Sequence, residues 1–273
     1  MARRPGSVIL SIDAVIFDMD GTLIDTEKLN VRFWIEAGRH FGIEIAPEDI
    51  IHIRSLESRQ TKAYLEGRYA GFDYEKVRDE RRILMKEHVD ANGVELKPGV
   101  KEALGFIKGR GMKTAVASAS RIDHVSDYLR MTGIIDYFDR IITTSCVERG
   151  KPFPDVYEYA CSELGEEPSR CIAVEDAPNG IRSAFDAGCR VVFVPDLTPA
   201  DDEIAGKAHV LESLDLLPRY LEEIDGRGES RRGAPSRSRY RSARCRPPMN
   251  RRRRPLLPRA SRHPAPYTSI QAM

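Results

Sequence analysis

Short runs of apolar residues recur along the chain, and longer segments with helical spacing separate them. The first run, Ala14–Phe17, alternates too little between polar and apolar residues for a strand with one wet face, so it suits a central strand buried on both faces. We therefore predict an α/β fold with a doubly wound, mainly parallel sheet and helices on both faces. The predicted strands span residues 14–18, 113–118, 140–143, 171–175 and 191–195.

One long segment, residues 27–95, has helical periodicity and no convincing strand pattern. Phe33 and Ala37 lie four residues apart and favour a helix near residues 26–41, and Leu84 and Val89 indicate a second helix. We predict that this segment is a helical cap. It would be inserted into an α/β core formed by residues 8–26 and 96–225.

Charge is distributed unevenly between this body and the end of the chain. The whole chain carries +1 at pH 7, but residues 226–273 hold fourteen arginines and one acid, Glu229, a net charge of +13. The remainder therefore carries about −12, and so acidic a body is not expected to bind nucleic acid. The final segment is rich in Arg, Pro and Ser, which predicts a disordered tail able to hold nucleic acid or an anionic surface non-specifically. Because residue usage changes abruptly after Asp225, out-of-frame translation of GC-rich DNA is a second interpretation.

Composition also limits the size of the core and the expected location of the protein. With 273 residues and 41% apolar content, the chain can bury a large core and a smaller accessory domain. No apolar run approaches membrane-spanning length, and the stretch near the start of the sequence is short and interrupted by Asp13. We expect a cytoplasmic monomer with no membrane partner.

The richest chemistry in the sequence follows the first predicted strand. Asp18 and Asp20 lie two residues apart, so one carboxylate can attack a phosphorus atom while the other donates and removes a proton. Gly21 allows a sharp turn beside a ligand, and Thr22 offers a hydroxyl and an N–H to a phosphoryl oxygen. The alternative interpretation is an acidic turn that merely ends the strand.

The end of the second predicted strand and a later loop each carry groups that can bind an anion. Ser118 ends the second strand, and its hydroxyl and the N–H of Ala119 can reach a phosphoryl oxygen, although a serine helix cap is an alternative. Lys151 lies between a glycine and a proline just before a helix. A lysine held in this way is a point charge aimed at an anion, whereas most lysines are solvated surface charges.

A pair of adjacent acids, Glu175 and Asp176, follows another predicted buried strand. Carboxylates at a strand end suit a hard cation such as Mg²⁺, which prefers oxygen ligands. An acidic cap for the following helix is compatible with that role.

Together these motifs resemble those of the haloacid dehalogenase-like hydrolases, a family of aspartate-dependent phosphatases and phosphomutases, over about residues 13–221. The resemblance implies that Asp18 is the nucleophile and Asp20 the general acid and base. It implies phosphate contacts from Thr22, Ser118, Ala119 and Lys151. It also implies a Mg²⁺ ion held by Asp18, Asp20, Glu175 and Asp176.

The insert is similar to the cap of the β-phosphoglucomutase-like and sugar-phosphatase subgroup. Thr26, Glu27 and Trp34 stand at positions familiar from that subgroup, whereas Asn30 replaces a common histidine. The segment after residue 53 lacks the subgroup's glycine-led loop, and Arg54 and Arg59 are the candidates to replace its phosphate-gripping arginine. These six residues are the predicted substrate contacts of the cap.

The resulting functional prediction is a Mg²⁺-dependent phosphatase acting on a small phosphorylated metabolite, a sugar or polyol phosphate, through an aspartyl-phosphate. A phosphosugar mutase of the β-phosphoglucomutase type is the alternative. A non-enzymatic binding module that carries a nucleic-acid-binding tail is a third, more remote interpretation.

Overall fold

The computed structural model describes residues 11–226 apart from Ser55 and Glu57. Its centre is a six-stranded sheet in which every neighbouring pair is parallel, in the order β3-β2-β1-β4-β5-β6. The strands are β1 (Ala14–Phe17), β2 (Lys113–Ser118), β3 (Arg140–Thr143), β4 (Cys171–Glu175), β5 (Arg190–Phe193) and β6 (Ala208–Val210).

Ten α-helices are present in the described part of the chain. The first four follow β1: α1 (Glu27–His40), α2 (Pro47–Ile53), α3 (Ser58–Arg68) and α4 (Tyr74–Asn92). The other six connect or follow the later strands: α5 (Val100–Gly109), α6 (Ile122–Met131), α7 (Asp155–Leu164), α8 (Pro178–Asp186), α9 (Asp202–Lys207) and α10 (Leu217–Gly226).

The central strand β1 is buried on both faces because helices cover each side of the sheet. Val15 and Phe17 pack in one apolar cluster with residues of α5, α6 and α10. Ala14 and Ile16 pack in a second cluster with residues of α7 and α8. Alternate side chains of a strand point to opposite faces, so a continuous apolar run supplies both clusters. The predicted fold class is confirmed.

The four helices α1–α4, which we call the cap helices, lie in sequence between β1 and the rest of the core. They share an apolar cluster of their own, in which α1 packs along α4. Its buried members include Trp34, Ala37, Ile50, Leu65 and Val77.

A buried carboxylate ties the cap helices together. Asp49 on α2 is only 5% exposed and accepts hydrogen bonds from the hydroxyls of Tyr64 and Tyr69 and from Arg68 Nε at 3.2 Å. Burial alone would raise the pKa of Asp49, but these hydrogen bonds outweigh it and lower that pKa from its ordinary value of 3.8. The contribution to stability is therefore present above pH 3.8 and is lost as the pH falls through the folded-state pKa.

We expect Asp49→Asn to lower the free energy of unfolding by about 1–3 kcal/mol at pH 7, because the neutral amide has one acceptor oxygen where the carboxylate has two, and cannot accept all of these hydrogen bonds. Thermal unfolding of the variant and of the wild type measures this. Glu36→Gln, at a more exposed carboxylate on α1, is the matched control. The difference in melting temperature between Asp49→Asn and the wild type should shrink at low pH. Equal melting temperatures at pH 7 would contradict a stabilising role for the Asp49 carboxylate.

The sequence-based strands agree closely with the structure. The first ends at Phe17 rather than residue 18, so Asp18 lies in the following loop, and the fifth spans Arg190–Phe193 rather than 191–195. The strand β6 was not predicted, because Ala208–Val210 is a three-residue edge strand with largely exposed side chains and no apolar run. Within residues 11–226, none of the described helices combines the length and apolarity that a bilayer crossing requires. The predicted arginine-rich tail lies outside the described residues.

Candidate active site

The predicted site residues meet at the carboxyl edge of the sheet, where β1 lies between β2 and β4. Phe17 is in register with Val116 of β2 and Val174 of β4, so the three strands end at nearly the same level. The Asp18 N–H donates to the carbonyl of Val174 at 2.9 Å. This bond continues the strand pairing by one step and fixes the start of the loop that carries both aspartates. Ligands bind at such an edge in open α/β sheets.

Lys151 joins two of the carboxylates. Its Nζ lies 2.6 Å from Asp18 Oδ1 and 2.5 Å from Glu175 Oε1, and its side chain is 9% exposed. Burial would lower the pKa of Lys151, but the charges of Asp18 and Glu175 outweigh it and raise that pKa. The lysine is therefore a fixed cation beside the Asp18 carboxylate.

Tyr157 on α7 was not among the predicted site residues. It is fully buried, and its hydroxyl donates to Glu175 Oε1 at 2.5 Å. Tyr157 therefore orients the carboxylate that receives Lys151. Its position on an apolar helix face resembles that of any core aromatic residue, so the sequence offered no signal for this contact.

Three carboxylates are placed to share a cation. Oxygen atoms of Asp18, Glu175 and Asp176 all lie within 4.8 Å of one another, and all three residues are buried. Burial raises the pKa of Asp176 to about 7. Burial also raises the pKa of Asp18, despite Lys151, and the charges of Glu175 and Asp176 add to this effect. Burial and the neighbouring carboxylates thus disfavour the charged forms of Asp18 and Asp176.

Two glycines let the backbone approach these carboxylates. Gly21 has a φ of +89°, and a Cβ there would lie 2.3 Å from Asp176 Oδ2. A Cβ on Gly180 of α8 would lie 2.0 Å from Glu175 Oε1. Both distances are far below van der Waals contact, so a side chain at either position would displace a carboxylate.

Asp20 is held apart from the three clustered carboxylates. Thr26 Oγ1 donates to its Oδ1 at 2.7 Å, and Ser120 Oγ donates to its Oδ2 at 2.8 Å. Ser118 Oγ accepts from the N–H of Ser120 at 3.0 Å, which orders the turn after β2. The two hydroxyls orient the Asp20 carboxylate, and Ser120 is a contact that the sequence analysis missed.

The cap helices contribute a buried arginine to this cluster. Arg54, whose side chain is 5% exposed, lies 2.9 Å from Glu27 Oε2 through Nε and 2.5 Å from Asp176 Oδ2 through Nη2. Thr22 is fully buried, and its hydroxyl donates to the other oxygen of Asp176 at 3.2 Å. A cap arginine and a core threonine thus share one carboxylate.

A cavity of about 1390 Å³ separates the cap helices from the sheet edge. Among the predicted residues, those that line it are Asp18, Asp20, Thr26, Glu27, Asn30, Arg54, Ala119, Lys151, Glu175 and Asp176. Thr22, Ser118 and Trp34 are buried beside the cavity rather than lining it. Arg59 lies exposed on α3, outside the lining. The lining also includes Arg81 of α4, which the sequence analysis did not single out.

The motifs at this sheet edge match a known protein family. A family model described as haloacid dehalogenase-like hydrolase matches residues 15–194, which include Asp18, Asp20, Lys151 and the acidic pair. The chain belongs to this family. The haloacid dehalogenase-like fold thus supplies the scaffold for the carboxylates, the lysine and the cap arginine described above.

Individual relatives agree with this assignment. The validoxylamine A 7'-phosphate phosphatase of Streptomyces hygroscopicus subsp. limoneus is 32% identical over 212 residues, which are 77% of this chain and 94% of the relative. A β-phosphoglucomutase from Clostridium difficile superposes with a TM-score of 0.64 at 26% identity, covering 81% of this chain and all of that one. The predicted subgroup and the predicted enzyme class, a phosphoric monoester hydrolase, are confirmed.

A third similar structure contains a sugar ligand. A mutant of CbbY from Rhodobacter sphaeroides, crystallised with xylulose-(1,5)-bisphosphate, superposes with a TM-score of 0.63 at 26% identity. The match covers 75% of this chain and 95% of that chain. That similar protein therefore binds a sugar that carries two phosphate groups.

Proposed function

We propose that this haloacid dehalogenase-like hydrolase is a Mg²⁺-dependent phosphatase that cleaves a small sugar or polyol phosphate through an aspartyl-phosphate on Asp18. The observation that carries the proposal is the buried Asp18 carboxylate, held 2.6 Å from Lys151 and within 4.8 Å of the acidic pair. A nucleophile, a fixed cation and a candidate metal site thus share one sheet edge that opens into a cavity.

The residues present fit a divalent cation. All three clustered groups are carboxylates, the ligands that Mg²⁺ prefers, and their oxygen atoms lie close enough together to share one ion. Burial raises the pKa of Asp176, and the charge of Glu175 adds to the effect, so a bound cation would favour the charged form of Asp176. Asp18, Glu175 and Asp176 would hold the ion, with Asp20 contributing its main-chain carbonyl. When bound, Mg²⁺ shields the charges of phosphate and nucleophile and neutralises charge that develops on the transferring group.

The protein's own groups account for the two chemical steps. Asp18 attacks phosphorus, the bond between phosphorus and the alcohol oxygen breaks, and Asp20 donates a proton to that oxygen. Asp20 then removes a proton from water, which attacks the phosphorus and breaks its bond to Asp18, releasing phosphate. Lys151 stabilises the charge on the equatorial oxygens throughout, because it is already in place and needs no reorganisation.

Replacing Asp20 with asparagine tests the general-acid role. We expect phosphate release from sugar phosphates to fall by roughly 10²–10⁴-fold, because an alkoxide leaves poorly without a proton. With p-nitrophenyl phosphate, whose leaving group needs no proton, Asp20→Asn should give a rapid burst of nitrophenol followed by slow turnover. Stopped-flow absorbance measures the burst. Equal slowing of both substrates without a burst would contradict the role.

A phosphate-release screen tests the proposed function as a whole. The purified protein is incubated with sugar, polyol and nucleotide monophosphates, in Mg²⁺ and in EDTA, and phosphate is measured. Release from one or a few sugar or polyol phosphates that requires Mg²⁺ is the expected result. Release that persists in EDTA would overturn the metal dependence. Conversion of β-glucose 1-phosphate to glucose 6-phosphate without net release would show a mutase instead.

A further inference from the structure

Three buried thiols lie on the face of the sheet that α7 and α8 cover. Cys161 on α7, Cys171 at the start of β4 and Cys189 just before β5 belong to one apolar cluster, and all three are free thiols. The Sγ atoms of Cys161 and Cys189 lie 3.7 Å apart. The proposed catalytic steps use none of these groups, so their proximity calls for a separate explanation.

The geometry distinguishes Cys161 and Cys189 from the third thiol. Cys171 Sγ donates to the carbonyl of Glu167 at 3.5 Å, so its hydrogen points toward the backbone. The sulfurs of the other two are already in van der Waals contact, and a disulfide, with sulfurs about 2.05 Å apart, requires them to approach by about 1.7 Å. The N–H of Cys189 donates to the carbonyl of Ala184 at 3.1 Å, which anchors this side of the pair to the end of α8.

Cys189 is the member of the pair that solvent can reach. It is 7% exposed and lines an open surface cavity of about 550 Å³, whereas Cys161 is 1% exposed and does not line that cavity. The hydrogen bond with Cys171 lowers the pKa of the Cys161 thiol, but the contact with Cys189 and burial outweigh it and raise that pKa. Cys161 is therefore a protonated thiol behind a more accessible one. An oxidant in the cavity meets Cys189 first.

One turn of α7 connects Cys161 to the active site. Tyr157 precedes it by four residues, so both side chains lie on the same face of the helix, and both pack in the same apolar cluster. The Tyr157 hydroxyl donates to Glu175 Oε1 at 2.5 Å, and the same oxygen accepts from Lys151 Nζ at 2.5 Å. A movement of α7 toward Cys189 therefore changes the position of the Tyr157 hydroxyl and of the carboxylate that it orients.

We propose that Cys161 and Cys189 form a peroxide-sensitive dithiol, and that the disulfide between them lowers activity by displacing Tyr157. The Cys189 sulfur attacks one oxygen of hydrogen peroxide, the O–O bond breaks, and a sulfenic acid and one water form. The Cys161 sulfur then attacks the sulfenic sulfur, the thiol proton leaves with the hydroxyl as a second water, and the S–S bond forms. The two thiols lose two electrons, and the peroxide is reduced to two waters.

Peptide mapping after peroxide treatment of the full chain tests the thiol chemistry. Trypsin separates the three cysteines, because cleavage after arginine places them in peptides 150–170, 171–182 and 183–190. We expect peroxide to join peptide 150–170 to peptide 183–190, with the loss of two hydrogen atoms, and dithiothreitol to reverse the link. A link that involves peptide 171–182 instead, or a Cys189 that is oxidised without forming any link, would overturn the proposal.

Phosphate release by the same samples tests the effect on activity, which rests on the proposed phosphatase function. We expect oxidation to lower kcat by roughly 10- to 100-fold, because a displacement of about 1 Å in an active site has a cost of this size, and dithiothreitol to restore it. Cys161→Ala and Cys189→Ala should each keep their activity in peroxide. Cys171→Ala is the matched control and should lose activity as the wild type does. Equal losses in Cys161→Ala and the wild type would refute the role of the pair.

The role of Tyr157 has its own measurement. Tyr157→Phe keeps the ring and lacks the hydroxyl, so it should still form the link between the two peptides. Its kcat, already reduced, should fall by less than about threefold on oxidation, because the contact that the disulfide disturbs is absent. A further loss as large as that of the wild type would show that the disulfide does not act through Tyr157.

Mg²⁺ titration separates this inference from the proposed function. Glu175 belongs to the candidate metal cluster, so its displacement should weaken Mg²⁺ binding by roughly 10-fold in the oxidised wild type, as measured by calorimetry without any substrate. If the wild type hydrolyses no compound, including p-nitrophenyl phosphate, the proposed function fails, and the peptide map and the titration still decide this inference. Equal Mg²⁺ affinities of the reduced and the fully cross-linked protein would overturn the coupling between the thiols and the site.

Discussion

Asp18→Asn is expected to abolish phosphate release, with a loss of at least about 10⁴-fold in kcat. The substitution removes the proposed nucleophile and one ligand of the candidate metal cluster together. The fold should not suffer, because burial raises the pKa of Asp18 and so makes its charged form costly in the folded state. A neutral amide avoids that cost. In the absence of metal at pH 8, we expect the melting temperature of the variant to equal or exceed that of the wild type.

Two measurements check this prediction. Phosphate release gives the rate, and mass spectrometry after an acid quench detects the phosphorylated enzyme that only the wild type should form. Asp13→Asn is the matched control, because Asp13 lies just before the opposite end of β1 and pairs with Arg170 at the surface. Its activity should match the wild type. Residual turnover above about 1% in Asp18→Asn would exclude Asp18 as the nucleophile.

Lys151→Met is expected to lower both activity and stability. Its removal leaves Asp18 and Glu175 as buried carboxylates without their shared cation, which destabilises folded proteins by about 3–5 kcal/mol. Activity should fall by roughly 10²–10³-fold, because a fixed cation no longer stabilises the transferring phosphoryl group.

The stability loss in Lys151→Met should depend on pH in a defined direction. Without the lysine, the pKa of Asp18 rises further above its ordinary value of 3.8. A raised carboxyl pKa costs nothing below the unfolded-state value, and its cost grows as the pH rises toward the folded-state value. Thermal unfolding should therefore show a small difference from the wild type at pH 5 and a larger one at pH 8.

The control for this pH dependence is Lys207→Met, because Lys207 pairs with Glu203 at the surface, where an ion pair contributes little. It should melt close to the wild type at both values of pH. A stability loss in Lys151→Met that is the same at pH 5 and pH 8 would show that packing, rather than charge, sets the role of Lys151.

Local patterns were enough to predict the sheet and the core motifs. A continuous apolar run such as Ala14–Phe17 identifies a buried strand. Parallel strands place their carboxyl ends at the same edge of the sheet, whichever side chains pack around them. Asp18, Glu175 and Asp176 follow or end such strands, so their clustering follows from topology. The edge strand β6 escaped prediction because a short, exposed strand has no periodic signal.

The contacts of the cap depend on distances that no local pattern encodes. Arg54 meets Asp176 across 122 positions in the sequence, and Arg81 meets Asn30 across 51. Arg59, by contrast, lies exposed on a neighbouring helix. Arg59 and Arg81 lie in helices and Arg54 directly follows one, and in such segments a solvated arginine and a buried one have the same local sequence pattern.

The sequence by itself therefore determined the α/β core and the residue types of the candidate active site at the sheet edge, because these depend on the period of buried residues and on the rules for connecting parallel strands. Only the tertiary structure decided that Tyr157 and Ser120 orient the carboxylates and that Arg54 pairs with Asp176. The physical reason is that the partners of a charged side chain are set by the packing of the cap helices over the sheet edge.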